Sequence, residues 1–203
     1  MSTYKFTYFN VEALGETSRY IFAVAGQEYE DIRIEEADWP KMKEGTPLGQ
    51  LPYLDVDGER IPQSMAINRY LSRKFGLYGE NDIEKARIDV VLEVLEELGY
   101  HTVKAIYEKD EGVKQTLLKE LAEVQAPKYL GLLEKLLVAN QGGDGYFVGS
   151  KISLADIVVF NWVHDRLPYF KIINKEPRLQ ALVDKIKALP RMNAWLKKRP
   201  KTR

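Results

Sequence analysis

The fold is decided by residues 47–64, which read Pro-Leu-Gly-Gln-Leu-Pro-Tyr-Leu-Asp-Val-Asp-Gly-Glu-Arg-Ile-Pro-Gln-Ser. Pro52 has no N–H and pushes the residue before it into extended backbone. Asp57-Gly58 predicts a two-residue turn, and hence a hairpin of strands 53–56 and 59–62. An apolar helical pattern follows the hairpin, so Ser64 is the predicted N-cap. Because the first N–H groups of a helix can hold an anion, this stretch predicts a binding edge.

Upstream of this stretch, the pattern predicts a strand, a helix and a second strand. Residues 4–9 alternate between aromatic and polar side chains, and residues 15–25 have helical periodicity closed by Gly26. Residues 29–34 read as a strand, and 65–75 as the helix after the hairpin. A β-α-β unit places its two strands parallel, whereas the hairpin adds antiparallel strands. Residues 1–76 therefore predict a thioredoxin-like domain with a mixed four-stranded βαβ-ββα sheet.

After a short linker at 77–81, the pattern becomes entirely helical. Helices are predicted over 82 to about 110 and over 112–139, with Pro127 marking a kink or bend. Ser153 and Asp156 have the spacing of a capping box and open another helix. Residues 82–203 therefore predict an all-helical second domain, so the fold class is α/β followed by all-α.

The composition excludes several classes of function. The 203 residues include 30 basic and 30 acidic side chains, which makes nucleic acid or an anionic membrane an unfavoured partner. No cysteine is present, which excludes disulfides, thiolate metal sites and a cysteine nucleophile. The two histidines are far apart in sequence, which disfavours a histidine-based metal site or triad. No signal peptide or membrane-spanning run is recognisable, so we expect a cytoplasmic protein.

The two-part pattern resembles the cytosolic glutathione transferases across essentially the whole chain. The likeness is greatest to the sigma class, which includes the haematopoietic prostaglandin D synthases and insect enzymes. It rests on short motifs that are weak singly and strong together: Tyr-Lys-Phe-Thr-Tyr-Phe at 4–9, Ala-Asp-Trp-Pro at 37–40, Gly-Gln-Leu-Pro at 49–52, Gln-Ser at 63–64, Ser-Leu-Ala-Asp at 153–156 and Arg-Pro-Lys-Thr at 199–202. The resemblance implies glutathione as co-substrate, no metal, small hydrophobic electrophiles as substrates and a homodimer.

The resemblance also implies a set of site residues. Tyr8 corresponds to the catalytic tyrosine that bonds the glutathione sulfur, and Leu51 would exchange backbone hydrogen bonds with the cysteinyl part, beside a cis bond before Pro52. Gln63 and Ser64 would hold the γ-glutamyl carboxylate. The remaining implied glutathione contacts are Trp39, Lys43, Gly49, Gln50, Pro52 and, from the neighbouring subunit, Glu97. The expected electrophile pocket comprises Val11, Ala13, Leu14, Asn161 and Trp162.

From the residues alone, an ordinary strand aromatic is the favoured interpretation of Tyr8, and only the family motifs reverse it; Tyr4 on the same strand face is interpreted as packing. Trp162 could line the pocket or fill the core, and Trp195 is interpreted as core. Glu93, Glu96 and Glu97 are predicted to lie on one face of a helix, where they are solvated or ion-paired. Binding of a divalent cation by these carboxylates is left as an open alternative.

Three functions follow from the resemblance. The first is conjugation of the glutathione thiolate to hydrophobic electrophiles, in detoxification and with lipid-peroxidation aldehydes as candidates. The second is glutathione-dependent prostaglandin D isomerisation, and the third is non-catalytic binding as in a ligandin or S-crystallin. Leu14 stands where vertebrate prostaglandin D synthases carry an arginine, which makes that wall apolar and favours the first function.

Overall fold

The structure, a computed structural model, describes residues 2–202, and the chain divides into two compact units. The first unit holds the described residues up to Gly76 together with those from Ala188 onward, and the second unit runs from Leu77 to Lys187. The second domain was expected to extend to residue 203, whereas the described residues from Ala188 onward belong to the first unit. The last residues return to the first unit because their side chains bond to its first helix, as described below.

The first unit is built on a four-stranded sheet in the order β2-β1-β3-β4. β1 pairs with β2 in parallel, and β3 pairs with both β1 and β4 in antiparallel fashion. Asp57 and Gly58 have φ angles of 54° and 95°, as the predicted two-residue hairpin turn requires. The mixed sheet is thus confirmed, with strands β1 (Tyr4–Phe9), β2 (Glu30–Ile34), β3 (Tyr53–Val56) and β4 (Glu59–Pro62).

Four helices accompany this sheet in the first unit: α1 (Glu16–Ala25), α2 (Trp39–Met42), α3 (Ser64–Lys74) and α10 (Pro190–Lys198). α1 ends at Gly26, which has a φ of 69° and donates to Ala23 and Phe22 in a left-handed cap. Buried aromatic residues join α1 to the sheet, since Phe22 makes an edge contact with Tyr4 and stacks on Tyr29 at 4.1 Å.

The second unit is helical and consists of α4 (Asp82–Tyr107), α5 (Glu111–Glu120), α6 (Ala126–Ala139), α7 (Leu154–Asn161), α8 (Leu167–Tyr169) and most of α9 (Pro177–Ala188). A π-helical turn at Leu121–Gln125 joins α5 to α6, and a second one at Trp162–Arg166 joins α7 to α8. Each turn ends two residues before a proline, Pro127 or Pro168. Because proline lacks an N–H, one helical hydrogen bond is missing at each site, and the wider π-helical turn accommodates its loss. The kink predicted at Pro127 is therefore a π-helical turn.

The predicted capping box at the start of α7 is present. Asp156 Oδ2 accepts from the backbone N–H of Ser153 and from its Oγ, both at 2.7 Å, and Oδ1 accepts from Phe147 N at 2.8 Å. Burial nevertheless raises the pKa of Asp156 to about 6. None of the helices described between residues 2 and 202 is both long and apolar enough to cross a membrane.

Candidate functional site

A groove in the first unit is lined by residues from four of its segments. It is lined by Leu14, Gln50, Leu51, Pro52, Pro62, Gln63 and Ser64. These residues come from the loop after β1, the segment before β3, the end of β4 and the start of α3. The lining thus includes five of the predicted glutathione contacts, Gln50, Leu51, Pro52, Gln63 and Ser64, together with one predicted electrophile contact, Leu14.

The segment before β3 offers extended backbone to the groove. The Leu51–Pro52 peptide bond is cis, as the resemblance implied. Strand pairing of β3 begins at Tyr53, which is opposite Thr7 and Pro62, so Leu51 lies beyond the paired residues. Its N–H and C=O are placed where a peptide ligand could pair with them in the manner of an added strand.

The start of α3 differs from the prediction by one residue. Gln63, not Ser64, is the N-cap, and Ser64 is the first residue of the helix. Gln63 has a φ of 72° and a ψ of 115°, a region that L-residues rarely occupy, and no side chain caps α3 there. Its Nε2 donates to Gln50 Oε1 at 3.4 Å across the groove. The uncapped start of α3 therefore lies in the same groove as two amide side chains, those of Gln50 and Gln63.

Tyr8 is buried, with 6% of its surface exposed, and is bonded to one residue of the groove lining. Its hydroxyl accepts a hydrogen bond from Leu14 N at 3.4 Å, and Leu14 lines the groove. A Cβ built on Gly15 would lie 2.3 Å from Tyr8 Cδ1, so the backbone of the loop contacts the ring directly. The hydroxyl is therefore held beside the groove by the loop that follows β1.

Three other predicted glutathione contacts lie in the same unit but do not belong to the groove lining. Trp39 is half-buried, and its ring makes an edge contact with Phe9 at 5.5 Å. Lys43 is exposed, and its side chain runs alongside Gly49, which has a φ of 62°. Two residues of the expected electrophile pocket lie in the loop after β1. The carbonyl oxygen of Val11 accepts a hydrogen bond from Arg19, and Ala13 has a φ of 25°.

The predicted residues of the second unit fall into two groups. Asn161 and Trp162 are buried, and each binds Arg166: Asn161 Oδ1 accepts from Arg166 Nε at 3.1 Å, and the guanidinium lies 4.7 Å from the Trp162 ring centre. Glu97 is exposed on α4, as are Glu93 and Glu96. Among residues 2–202 no group of three histidine, cysteine, aspartate or glutamate side chains is arranged to hold a metal ion.

Sequence reasoning missed the residues that surround Tyr8. Arg19 is fully buried beneath its ring, Glu16 is bonded to Arg19, and Trp195 and Arg199 bond to Glu16. The motif at 199–202 was a signal of family resemblance only, and Trp195 was interpreted as core. Trp195 and Arg199 lie about 180 residues from Glu16, a separation that no local pattern bridges.

The fold and the groove together define a class of protein. One unit has a thioredoxin-like sheet with a groove lined by the segment before β3 and the start of α3, and the second unit is helical. The family model for the glutathione S-transferase N-terminal domain matches residues 4–73, and the model for the C-terminal domain of the same family matches residues 96–199. The chain belongs to the glutathione S-transferase family.

Similar proteins agree with this assignment. The hematopoietic prostaglandin D synthase of Gallus gallus is 40% identical over 206 residues, which cover 100% of this chain and 99% of that protein. Glutathione S-transferase 1 of Ascaris suum is 38% identical over 209 residues, with 100% and 99% coverage. The solved structure of prostaglandin synthase D of Nilaparvata lugens has a TM-score of 0.90 at 37% identity, covering 98% of this chain and 100% of that one. This chain is thus a transferase with glutathione as its co-substrate.

Proposed function

We propose that this transferase conjugates the thiolate of glutathione to small hydrophobic electrophiles and that Tyr8 is the residue that ionises the thiol. The observation that carries the proposal is the bond between the Tyr8 hydroxyl and Leu14, a residue that lines the same groove as the start of α3. Glutathione is a peptide thiol with a carboxylate at each end, so it matches an extended backbone edge that leads to an anion-ready helix start.

The energy available from one hydrogen bond is sufficient for this role. An isolated thiol has a pKa of about 8.5, and a hydrogen bond to a charged partner contributes roughly 1.5–3 kcal/mol. Since one pKa unit corresponds to about 1.36 kcal/mol, a hydrogen bond from the Tyr8 hydroxyl lowers the pKa of the thiol by roughly one to two units. The thiolate, which is the nucleophile, then predominates or nearly so at neutral pH without any further base.

The glutathione contacts divide by chemistry. Leu51 binds the cysteinyl backbone, and the N–H groups of Ser64 and the residues after it bind the γ-glutamyl carboxylate with the Gln63 amide. Trp39 and Lys43 are assigned to the glycine carboxylate, and Gly49 gives the backbone at Gln50 the turn that brings its amide to the groove.

The test is conjugation of glutathione to a chromogenic electrophile by wild type, Tyr8→Phe and Tyr4→Phe. Tyr4 lies on the same strand, is equally buried at 5% exposure and packs against Phe22 and Phe75, so it controls for loss of a buried hydroxyl. We expect Tyr8→Phe to lose most of the rate and Tyr4→Phe to retain it. Equal rates in wild type and Tyr8→Phe would remove the role of Tyr8, and no wild-type turnover across an electrophile panel would favour a non-catalytic ligandin or S-crystallin-like role.

A second candidate is isomerisation of prostaglandin H2 to prostaglandin D2, because two of the similar proteins carry that name. Leu14, which lines the groove, offers no cation to an acidic prostanoid and instead makes an apolar wall with Val11 and Ala13, so we rank conjugation first. Asn161 and Trp162 are proposed as pocket residues on the helical side. Prostaglandin D2 formation from prostaglandin H2 with glutathione present, measured against a no-enzyme control, decides between the two.

A sigma-class homodimer is the proposed assembly. Glu97 shares an exposed face of α4 with Val90, Tyr100 and Tyr107, whose exposed fractions are 48%, 69% and 76%. Large apolar side chains around a carboxylate on one helix face suit burial against a second copy, in which Glu97 would meet the γ-glutamyl amine. Sedimentation at micromolar concentration is expected to give the dimer mass, and Tyr100→Glu the monomer mass. A monomeric wild type would contradict the assembly.

A detoxification role in the cytoplasm remains a proposal drawn from the family resemblance. Imaging of a tagged chain in cells, with and without exposure to an unsaturated aldehyde, tests both the location and the role.

A further inference from the structure

The C-terminal residues of the chain bind the helix that follows the Tyr8 loop. Arg199, which ends α10 and is 16% exposed, donates from Nη1 to Glu16 Oε1 at 3.0 Å and to the Tyr20 hydroxyl at 2.6 Å. Trp195 Nε1 donates to the same Glu16 oxygen at 2.9 Å. Glu16 is only 1% exposed, so this carboxylate is buried between donors from two ends of the chain.

The other oxygen of Glu16 contacts Arg19. Arg19 Nη1 donates to Glu16 Oε2 at 3.2 Å, and the Arg19 side chain has no exposed surface. Its Nε bonds to Asp31 Oδ1 at 3.0 Å, so Arg19 is balanced by two carboxylates. Because a buried guanidinium needs a fixed partner, the orientation of Glu16 fixes that of Arg19.

Arg19 in turn holds the segment that carries Tyr8. Its Nη1 donates to Val11 O at 2.8 Å, its Nη2 donates to Phe9 O at 3.3 Å, and its guanidinium carbon lies 6.0 Å from the Tyr8 ring centre. These two carbonyls lie between Tyr8 and Leu14, the residue whose N–H bonds to the Tyr8 hydroxyl. A shift of Arg19 therefore moves both partners of that hydrogen bond.

A second contact links the same C-terminal residues to the loop itself. Thr202 Oγ1 donates to Glu12 Oε2, and the carbonyl of Glu12 accepts from Gly15 N at 3.1 Å and Glu16 N at 2.9 Å. The loop between Tyr8 and α1 is therefore held by the C-terminal residues both through Glu16 and Arg19 and directly at Glu12.

We propose that Arg199 is a positioning residue for Tyr8, acting through Glu16 and Arg19. This proposal rests on the proposed role of Tyr8 in ionising glutathione. Arg199 bonds to Glu16 and to the Tyr20 hydroxyl, and its effect on Tyr8 passes along the chain of contacts from α10 to the loop. The C-terminal residues thus complete the thiol-activating end of the site.

Arg191 provides a matched control. It is also an arginine of α10 that bonds to α1, but its Nη1 donates to Val24 O at 3.4 Å and Ala25 O at 3.2 Å, at the far end of α1 from the Tyr8 loop. Arg191→Ala therefore weakens attachment of α10 without touching the contacts of Glu16. A merely structural role of the C-terminal residues predicts the same outcome for both arginines.

The experiment compares wild type, Arg199→Ala, Arg199→Lys, Trp195→Phe and Arg191→Ala in the full-length protein. Because a displacement of about 1 Å at reacting groups costs up to about a hundredfold in rate, we expect Arg199→Ala to lower kcat/KM for conjugation roughly tenfold. The midpoint of its pH–rate profile moves to higher pH as the thiol pKa rises. Arg199→Lys recovers part of the loss, Trp195→Phe loses less, and Arg191→Ala keeps the wild-type profile.

Two outcomes would overturn the proposal: an unchanged pH profile in Arg199→Ala, or equal shifts in Arg199→Ala and Arg191→Ala. If Arg199→Ala fails to fold, the graded pair Arg199→Lys and Trp195→Phe is decisive in the same way. The backbone amide resonance of Leu14 in the ligand-free protein is the second readout, and it is expected to shift in Arg199→Ala but not in Arg191→Ala. It reports on the contacts even where conjugation is absent, so failure of the proposed function and failure of this inference are distinguishable.

Discussion

Replacing Gly15 with alanine is expected to displace Tyr8 and leave the rest of the first unit in place. Gly15 has ordinary helical dihedral angles, with φ −83° and ψ −25°, so alanine meets no backbone obstacle there. The obstacle is the Tyr8 ring, since the new Cβ would lie 2.3 Å from Cδ1 and 2.8 Å from Cγ. Carbon atoms rest at about 3.5–4.0 Å, so ring and loop must separate by more than about 1 Å.

A displacement of that size breaks the hydrogen bond at the Tyr8 hydroxyl. The bond from Leu14 N is already 3.4 Å long, and a further 1 Å leaves the range of hydrogen bonding. Misplacing a reacting group by about 1 Å costs up to about a hundredfold, which corresponds to about 2.7 kcal/mol. We therefore expect Gly15→Ala to lower kcat/KM by roughly that factor and to change KM for glutathione little, because the groove at α3 is untouched.

The assay is steady-state conjugation, with circular dichroism to confirm folding. Gly131→Ala serves as the control, because Gly131 lies within α6 and an added Cβ there would lie 3.9 Å from Glu176 Oε1, an ordinary contact distance. A folded Gly15→Ala enzyme with the wild-type rate would refute the argument that this glycine sets the position of Tyr8.

Two further predictions concern backbone strain and a buried carboxylate. Gln63→Gly relieves a φ of 72°, so we expect the free energy of unfolding to stay level or to rise by about 1 kcal/mol while glutathione binds more weakly by calorimetry; unchanged affinity would contradict the role of the amide. Asp156 has a folded pKa of about 6 against 3.8 for the free side chain, so its folded state binds the proton more tightly. The stability it contributes is therefore full below pH 3.8 and is lost as pH rises through about 6, by roughly 3 kcal/mol. Urea unfolding from pH 4 to 7 should show this slope in wild type and not in Asp156→Asn; parallel curves would contradict it.

Local signals predicted most of the fold because each is decided by a few adjacent residues. Asp57-Gly58 fixes the hairpin turn, Gly26 ends α1, and Ser153 with Asp156 opens α7. The predicted N-cap at Ser64 was wrong by one residue because the capping residue adopts positive φ, which the identity of Gln63 does not suggest. The π-helical turns were not predicted, since only the proline after each turn is visible in the sequence.

The groove was predicted through the family resemblance, and its supporting contacts were not predicted. Leu51 belongs to the motif at 49–52 and Gln63 and Ser64 form the motif at 63–64, and the hairpin between the two motifs brings them together. Arg199 and Glu16 are 183 residues apart, and neither residue type is unusual at its position. Only the return of α10 to the first unit reveals that the two charges meet in a buried environment.

The central claim, that Tyr8 ionises glutathione, is tested most directly by the pKa of the bound thiol. It is measured by ultraviolet difference titration of the thiolate in complexes of glutathione with wild type and with Tyr8→Phe. If Tyr8 has this role, the thiol pKa is expected at roughly 6.5–7.5 in wild type and near 8.5 in Tyr8→Phe, because a single hydrogen bond to the thiolate supplies the difference. The same pKa in both complexes would contradict it.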